Sequence, residues 1–147
     1  MNKAILKKFY VNGSAKTRKD LEKRFIKYEN VFLISNGYSI IALNDNYDME
    51  NMEIKFGSCL IKNFNNFETN YHQEKDITLN VFNETKDHFD IDEYYSINMK
   101  LLNIIKGLIR ANKVYLLTID CNGRVPIIKM INEKTKEIAY LLLERNY

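Results

Sequence analysis

The residues best placed to do chemistry are cations. Lys16, Lys19, Lys23 and Lys27 fall at steps of three, four and four, and Lys106, Arg110 and Lys113 follow Asn103 at similar steps. On helices such spacings line one stripe, and a stripe of ammonium and guanidinium groups neutralises phosphates without reading bases. Like charges stacked along a helix cost a little stability, so a polyanion such as duplex DNA fits this chemistry. The plain alternative is a solvated lysine face.

Other chemistry is thinly supplied. Asp45, Glu53 and Lys55 echo the two carboxylates and lysine of metal-dependent nucleases, a pattern that chance produces often. His72 and His88 have no second His or Cys at metal-ligand spacing, and Asp87-His88-Phe89-Asp90-Ile91-Asp92-Glu93 reads as a solvated acidic loop. The run from Asp45 to Glu50 lacks the mid-loop glycine and closing glutamate of an EF-hand, and no glycine-rich phosphate loop is present. Cys59 and Cys121 are isolated, which predicts reduced thiols in or near the core. The expectation is a non-enzyme with no catalytic residues, no metal and no cofactor.

The longest amphipathic stretch is Tyr95 to Arg110, with apolar residues at 97, 101, 102, 104, 105, 108 and 109 and Ser96 as N-cap, which predicts a helix. Val114 to Asp120, an Asn122-Gly123 turn, Val125 to Met130 and Glu137 to Leu143 then read as three antiparallel strands. Earlier, Ala4 to Val11 leans to a strand, and Thr17-Arg18-Lys19-Asp20 resembles a capping box opening a helix to Glu29 that buries Leu21, Phe25 and Tyr28. Val31 to Ser35 and Tyr38 to Leu43 are strands around an Asn36-Gly37 turn. Short strands are expected at Glu53 to Ile61 and Ile77 to Phe82, with Asn83 to Glu93 an acidic connector. The order helix, strand, Asn-Gly, strand thus occurs twice, which points to an internal duplication. The fold class is α+β, a duplicated helix-plus-antiparallel-sheet unit with its two main helices on one face of a joined sheet.

At 147 residues the chain has the length of one domain, with an irregular acidic stretch at about 44 to 93. Charge is divided: residues 1 to 30 hold nine Lys/Arg against three Asp/Glu, residues 44 to 93 four against twelve, and residues 94 to 147 nine against four. No apolar run approaches the roughly eighteen residues of a membrane span, and the N-terminal residues are too charged for a signal peptide. A cytoplasmic protein without membrane attachment is expected. Tyr94, Tyr95, Tyr140 and Tyr147 are read mainly as core residues, with an interface as the alternative.

The segment Phe32-Leu33-Ile34-Ser35-Asn36-Gly37-Tyr38-Ser39-Ile40-Ile41-Ala42-Leu43 resembles the apolar strand and Ala-Thr-Asp-Gly-aromatic-Arg-Leu-Ala run of the bacterial DNA polymerase sliding clamp family. Asn98 to Leu108 is similar to that family's Asn-x-x-Leu-Leu helix, and Pro126-Ile127-Ile128 to its Pro-Val-x-Ile strand. The family's Met-Pro-x-Arg-Leu ending is replaced by Leu143-Glu144-Arg145-Asn146-Tyr147, without its Pro or its Arg. The resemblance implies duplicated helix-plus-sheet units whose helices face DNA inside a ring. It also implies a pocket for short peptides, falling here on Ser35, Gly37, Tyr38, Ile40, Leu143, Arg145 and Tyr147. A family subunit carries three such domains, so a ring of this chain would need about six copies as a homo-oligomer. The expected function is a non-catalytic, clamp-like protein that contacts duplex DNA without sequence preference or binds replication or repair proteins. The alternative is a small inhibitor or adaptor, of the kind phages and other mobile elements encode, docking on a protein through its acidic segment.

Overall fold

The computed structural model describes residues 2–120 and 123–146. Chain order is α1 (Lys3–Val11), α2 (Ala15–Leu21), β1 (Arg24–Tyr28), β2 (Val31–Ser35), β3 (Ser39–Leu43), β4 (Glu50–Asn51), α3 (Ile54–Thr69), β5 (Tyr71–Asp76) and α4 (Thr78–Phe82). There follow β6 (His88–Asp90), β7 (Tyr95–Asn98), α5 (Met99–Ile109), β8 (Lys113–Asp120), β9 (Arg124–Ile131), β10 (Ile138–Leu142) and β11 (Glu144–Arg145). Eight strands form one sheet in the order β4-β1-β2-β3-β10-β9-β8-β5, and β11-β7-β6 form a smaller one. All pairings are antiparallel except that of β1 with β4.

Alternate residues of the large sheet enter two separate cores. Ile34, Ile41, Leu43, Val114, Ile128, Met130, Ala139 and Leu141 pack with Phe9 and Tyr10 of α1 and with Leu102, Ile105 and Ile109 of α5. Their neighbours Leu33, Ile40, Ala42, Leu117, Ile119, Ile127 and Tyr140 pack with Leu21 of α2 and with Leu60 and Phe64 of α3. The molecule is therefore three-layered, helix on sheet on helix. This explains why β3 is buried at every position and, after Ser39, reads as a continuous apolar run from Ile40 to Leu43.

Strands β2, β3, β8, β9 and β10 lie where the sequence places them. Asn36 organises the first hairpin: its Oδ1 accepts the Tyr38 and Ser39 N–H groups at 3.0 and 3.1 Å and the Ser39 hydroxyl at 2.9 Å. Its Nδ2 donates to the Phe9 carbonyl at 3.0 Å, and its own carbonyl accepts the Ser14 N–H at 2.8 Å. Gly37 has φ +92°, a left-handed conformation that suits glycine, and a Cβ there would strike Thr17. Of the second Asn-Gly turn, Asn122 lies outside the described residues, as does Cys121.

Several expectations are corrected. Ala4 to Val11 is helical, because Asn2 caps the Ala4 and Ile5 N–H groups at 2.9 and 3.4 Å and Phe9 and Tyr10 extend the buried face begun by Ile5 and Leu6. The helix expected over Thr17 to Glu29 stops at Leu21: Lys23 takes φ 58° and the chain re-emerges as β1, hairpinned to β2 through Glu29 at φ 54°. Thr17 is inside α2 rather than capping it, and Ser14 is the N-cap. Glu53 to Ile61 opens α3, whose Phe56, Leu60, Phe64 and Phe67 recur at helical steps. The stretch expected as a strand over Ile77 to Phe82 is the helix α4 with Ile77 as its N-cap residue, preceded by Asp76, whose Oδ1 accepts the Thr78 N–H and hydroxyl at 2.9 and 2.6 Å. Tyr95 to Asn98 is strand β7, and Asn98, not Ser96, caps α5 by accepting the Leu101 N–H at 3.1 Å. The two helices expected on one face lie on opposite faces: Leu21 of α2 is in one core and Leu101 of α5 in the other. The helix beside α5 is α1.

Candidate functional site

The first lysine stripe is broken by the end of α2. Lys16 and Lys19 are exposed on α2, Lys23 occupies the left-handed turn, and Lys27 lies on β1 with its ammonium 5.6 Å from the Phe32 ring centroid. Of the second stripe, Asn103 and Lys106 lie on α5, Arg110 is its C-cap residue and Lys113 begins β8. The Lys106 ammonium sits 3.8 Å over the Phe82 ring, Lys113 is 3.5 Å from Asp76, and Arg110 caps α5 in a left-handed conformation.

The structure assembles a different basic surface, missed in the sequence because Ala4 to Val11 read as a strand. The α1 end with Asn2 and Ile5 meets Gly107 to Arg110 of α5, while Asn12 lies with Asn98 and Leu101, so the helices run antiparallel. Their approach is close at Gly107, where a Cβ would lie 3.4 Å from the Ile5 Cδ1. Lys3, Lys7, Lys8, Lys100 and Arg110 are exposed, and neither helix contains an Asp or Glu. None of these five cations forms an ion pair among the described residues. The signal for α1 in the sequence is the polar cap Asn2 before apolar residues at 5, 6, 9 and 10.

The residues matched to a peptide pocket divide between two clefts. Ser35, Gly37, Tyr38 and Ile40 line one of about 240 Å³ between α2, α3 and the sheet. Tyr38, Leu143 and Arg145 line another of about 610 Å³ beside Asn98 and Leu101. Tyr38 and Leu142 border both, each 46% exposed, and are joined by the Leu142 N–H donating to the Tyr38 carbonyl at 2.9 Å. Thr17 Oγ1 is buried at the first cleft without a hydrogen-bond partner among the described residues. Tyr147 lies outside the described residues.

The nuclease pattern does not meet its structural setting. Glu53 is the N-cap residue of α3, 3.9 Å from Arg24, and Lys55 is exposed in the first turn of that helix. Among the described residues no three His, Cys, Asp or Glu side chains gather as metal ligands. His72 pairs with Asp120, and His88 with Glu144 at 2.8 Å. Cys59, expected near the core, is exposed on α3. Tyr140 is core, and burial together with Glu68 pushes its hydroxyl pKa well up. The acidic residues of 44 to 93 are distributed over α3, β5, the β6–β7 region and the connecting loops. No helix among the described residues is long and apolar enough to cross a membrane.

No protein-family model, curated protein or solved structure gives a significant match to this chain.

Proposed function

We propose that the protein is a non-catalytic, clamp-like domain that tracks duplex DNA through its phosphates, using the paired helices α1 and α5. The observation that carries this reading is the antiparallel helix pair whose exposed charges are all positive. Backbone phosphates reward such a surface whatever the base sequence. Sheet order adds support: α1 with β1-β2-β3 and α5 with β8-β9-β10 are similar units, joined antiparallel at β3 and β10, with both helices in the same core. On this reading the duplicated helix is α1, and α2 and α3 are additions on the opposite face.

The test is fluorescence anisotropy of a labelled short duplex titrated with protein over a range of salt. Wild type should bind in a salt-dependent way regardless of sequence. Reversing Lys7 and Lys100 to Glu should reduce affinity at least tenfold and flatten the salt slope by about two units, roughly 0.9 for each phosphate no longer neutralised. Lys16→Glu with Lys19→Glu should change little. Wild-type binding that ignores salt, or an unaltered double variant at Lys7 and Lys100, overturns the reading. Encircling DNA requires a closed homo-oligomer, which light scattering of the protein with and without duplex measures.

A second reading, a small protein-binding adaptor, is favoured by the exposed Tyr38 and Leu142 between two clefts. It moves the docking surface from the acidic segment to these clefts. Linear peptides selected on the wild-type protein by phage display should lose binding to Tyr38→Ala and Leu142→Glu. Failure to select any, or indifference to both changes, counts against it.

A further inference from the structure

Where the N-terminal end of α1 meets the C-terminal end of α5, the surface opens into a cleft of about 590 Å³. Its lining includes Asn2, Ile5, Tyr47, Leu108, Arg110 and Glu137. That volume is in the range of small-molecule sites, and the lining is more polar than apolar, with Ile5 and Leu108 among its apolar part.

Glu137 sets the chemistry. It is only 9% exposed, its Oε2 accepts the Asn44 N–H at 3.1 Å, and it has no ion-pair partner among the described residues. A carboxylate taken this far out of water is costly unless a cation or further donors meet it. The C-terminal end of α5 borders the same cleft and adds the negative pole of the helix, which strengthens the demand for positive charge. A divalent metal would need several oxygen ligands, and among the described residues Glu137 is the sole carboxylate side chain in the lining. An organic ammonium needs one carboxylate and a wall for its carbon skeleton, which Ile5 and Leu108 supply. Arg110, exposed and likewise without an ion pair among the described residues, supplies the opposite charge. Backbone conformation marks the same place: Tyr47, Arg110 and Lys136, all non-glycine, hold φ values of 50°, 54° and 67° around the cleft. Each costs free energy and persists only where the surroundings enforce it.

We propose that this cleft binds a small zwitterion of amino-acid size, with its ammonium on Glu137 and its carboxylate on Arg110. The site shares Arg110 with the cationic surface of α1 and α5, and its occupation by a zwitterion does not depend on DNA binding.

The experiment is two-dimensional amide NMR of the whole protein titrated with each free L-amino acid, with putrescine as an amine-only probe and butyrate as an acid-only probe. At least one amino acid should give saturable shifts centred on Tyr47, Thr135 and Arg110. Putrescine should bind more weakly and butyrate not at all. Glu137→Gln keeps an oxygen for the Asn44 N–H and should weaken the amino acid at least tenfold. Arg110→Ala, at an exposed position that leaves the core intact, should lower its affinity to the level of putrescine. The proposal is overturned if no amino acid saturates the site, if butyrate binds as well as the best amino acid, or if Glu137→Gln or Arg110→Ala leaves affinity unchanged. Should Glu137→Gln fail to fold, the Arg110→Ala comparison decides alone.

Discussion

Asn36 is the residue on which the N-terminal half turns. It is fully buried and its side chain serves four hydrogen bonds, three accepted by Oδ1 and one donated by Nδ2 to α1. Asn36→Ala should lower stability by about 2–4 kcal/mol, measured by urea unfolding, because buried donors and acceptors lose their partners together. The two buried tyrosines give a pH prediction. Burial, with Glu22 beside Tyr10 and Glu68 beside Tyr140, raises both hydroxyls above the ordinary value of 10.0. The folded protein thus holds these protons more tightly than the unfolded chain, so their contribution is intact below about pH 10 and is lost as pH rises beyond it. Thermal midpoints should fall on the alkaline side, and Tyr140→Phe should make that fall shallower; an unchanged slope would contradict the assignment. The importance of Asn36-Gly37 was legible in the sequence as a turn dipeptide. Its bond to Phe9 was not, since nothing local in residues 4 to 11 announces what lies across the sheet.

Among the elements, α5 and the three strands after it follow from periodicity because each is long and packs by its own pattern. The misread elements are those where a short window supports two periods. In α1, apolar residues at 5, 6, 9 and 10 satisfy a nine-residue helix, yet they are too few to exclude a strand. Between α2 and β1 the chain reverses without glycine or proline, through a left-handed Lys23, so the sequence carries no visible stop. Pairing with β2 overrides local preference there, and with it goes the lysine stripe from Lys16 to Lys27. The helix pair makes a further prediction. Gly107 is exposed in the last turn of α5, and a Cβ there would meet the Ile5 Cδ1 at 3.4 Å, the near limit of ordinary contact. Gly107→Ala should therefore stabilise by about 0.5–1 kcal/mol through helix propensity, read as a raised urea midpoint; destabilisation would mean the helices sit closer than this spacing.

For the whole molecule, the two-sided burial of the large sheet decides which surfaces remain for partners. One helical layer, α1 with α5, leaves a cationic exterior, and the other, α3 with α2, leaves the cleft near Tyr38. Basic helices and an Asn-Gly hairpin are both readable in the sequence, but residues 4 to 11, with Lys7 and Lys8, read there as a strand and are the helix α1. Layer assignment depends on which core each apolar residue enters, and in a strand buried on both faces the period-two signal that would reveal it disappears.

The seam between β3 and β10 has a consequence for synthesis. Ile40 and Ile41 find their partners Tyr140 and Ala139 only after almost the whole intervening sequence has left the ribosome. Until then β3 is an open edge, apolar from Ile40 to Leu43, on a nascent chain, the kind that recruits chaperones or pairs with another copy. Such distant pairing also slows folding. A chain stopped before Ile138 should therefore collect in the insoluble fraction of an expressing cell, whereas one stopped after Leu142 should stay largely soluble. The hazard thus belongs to the order in which the strands are made.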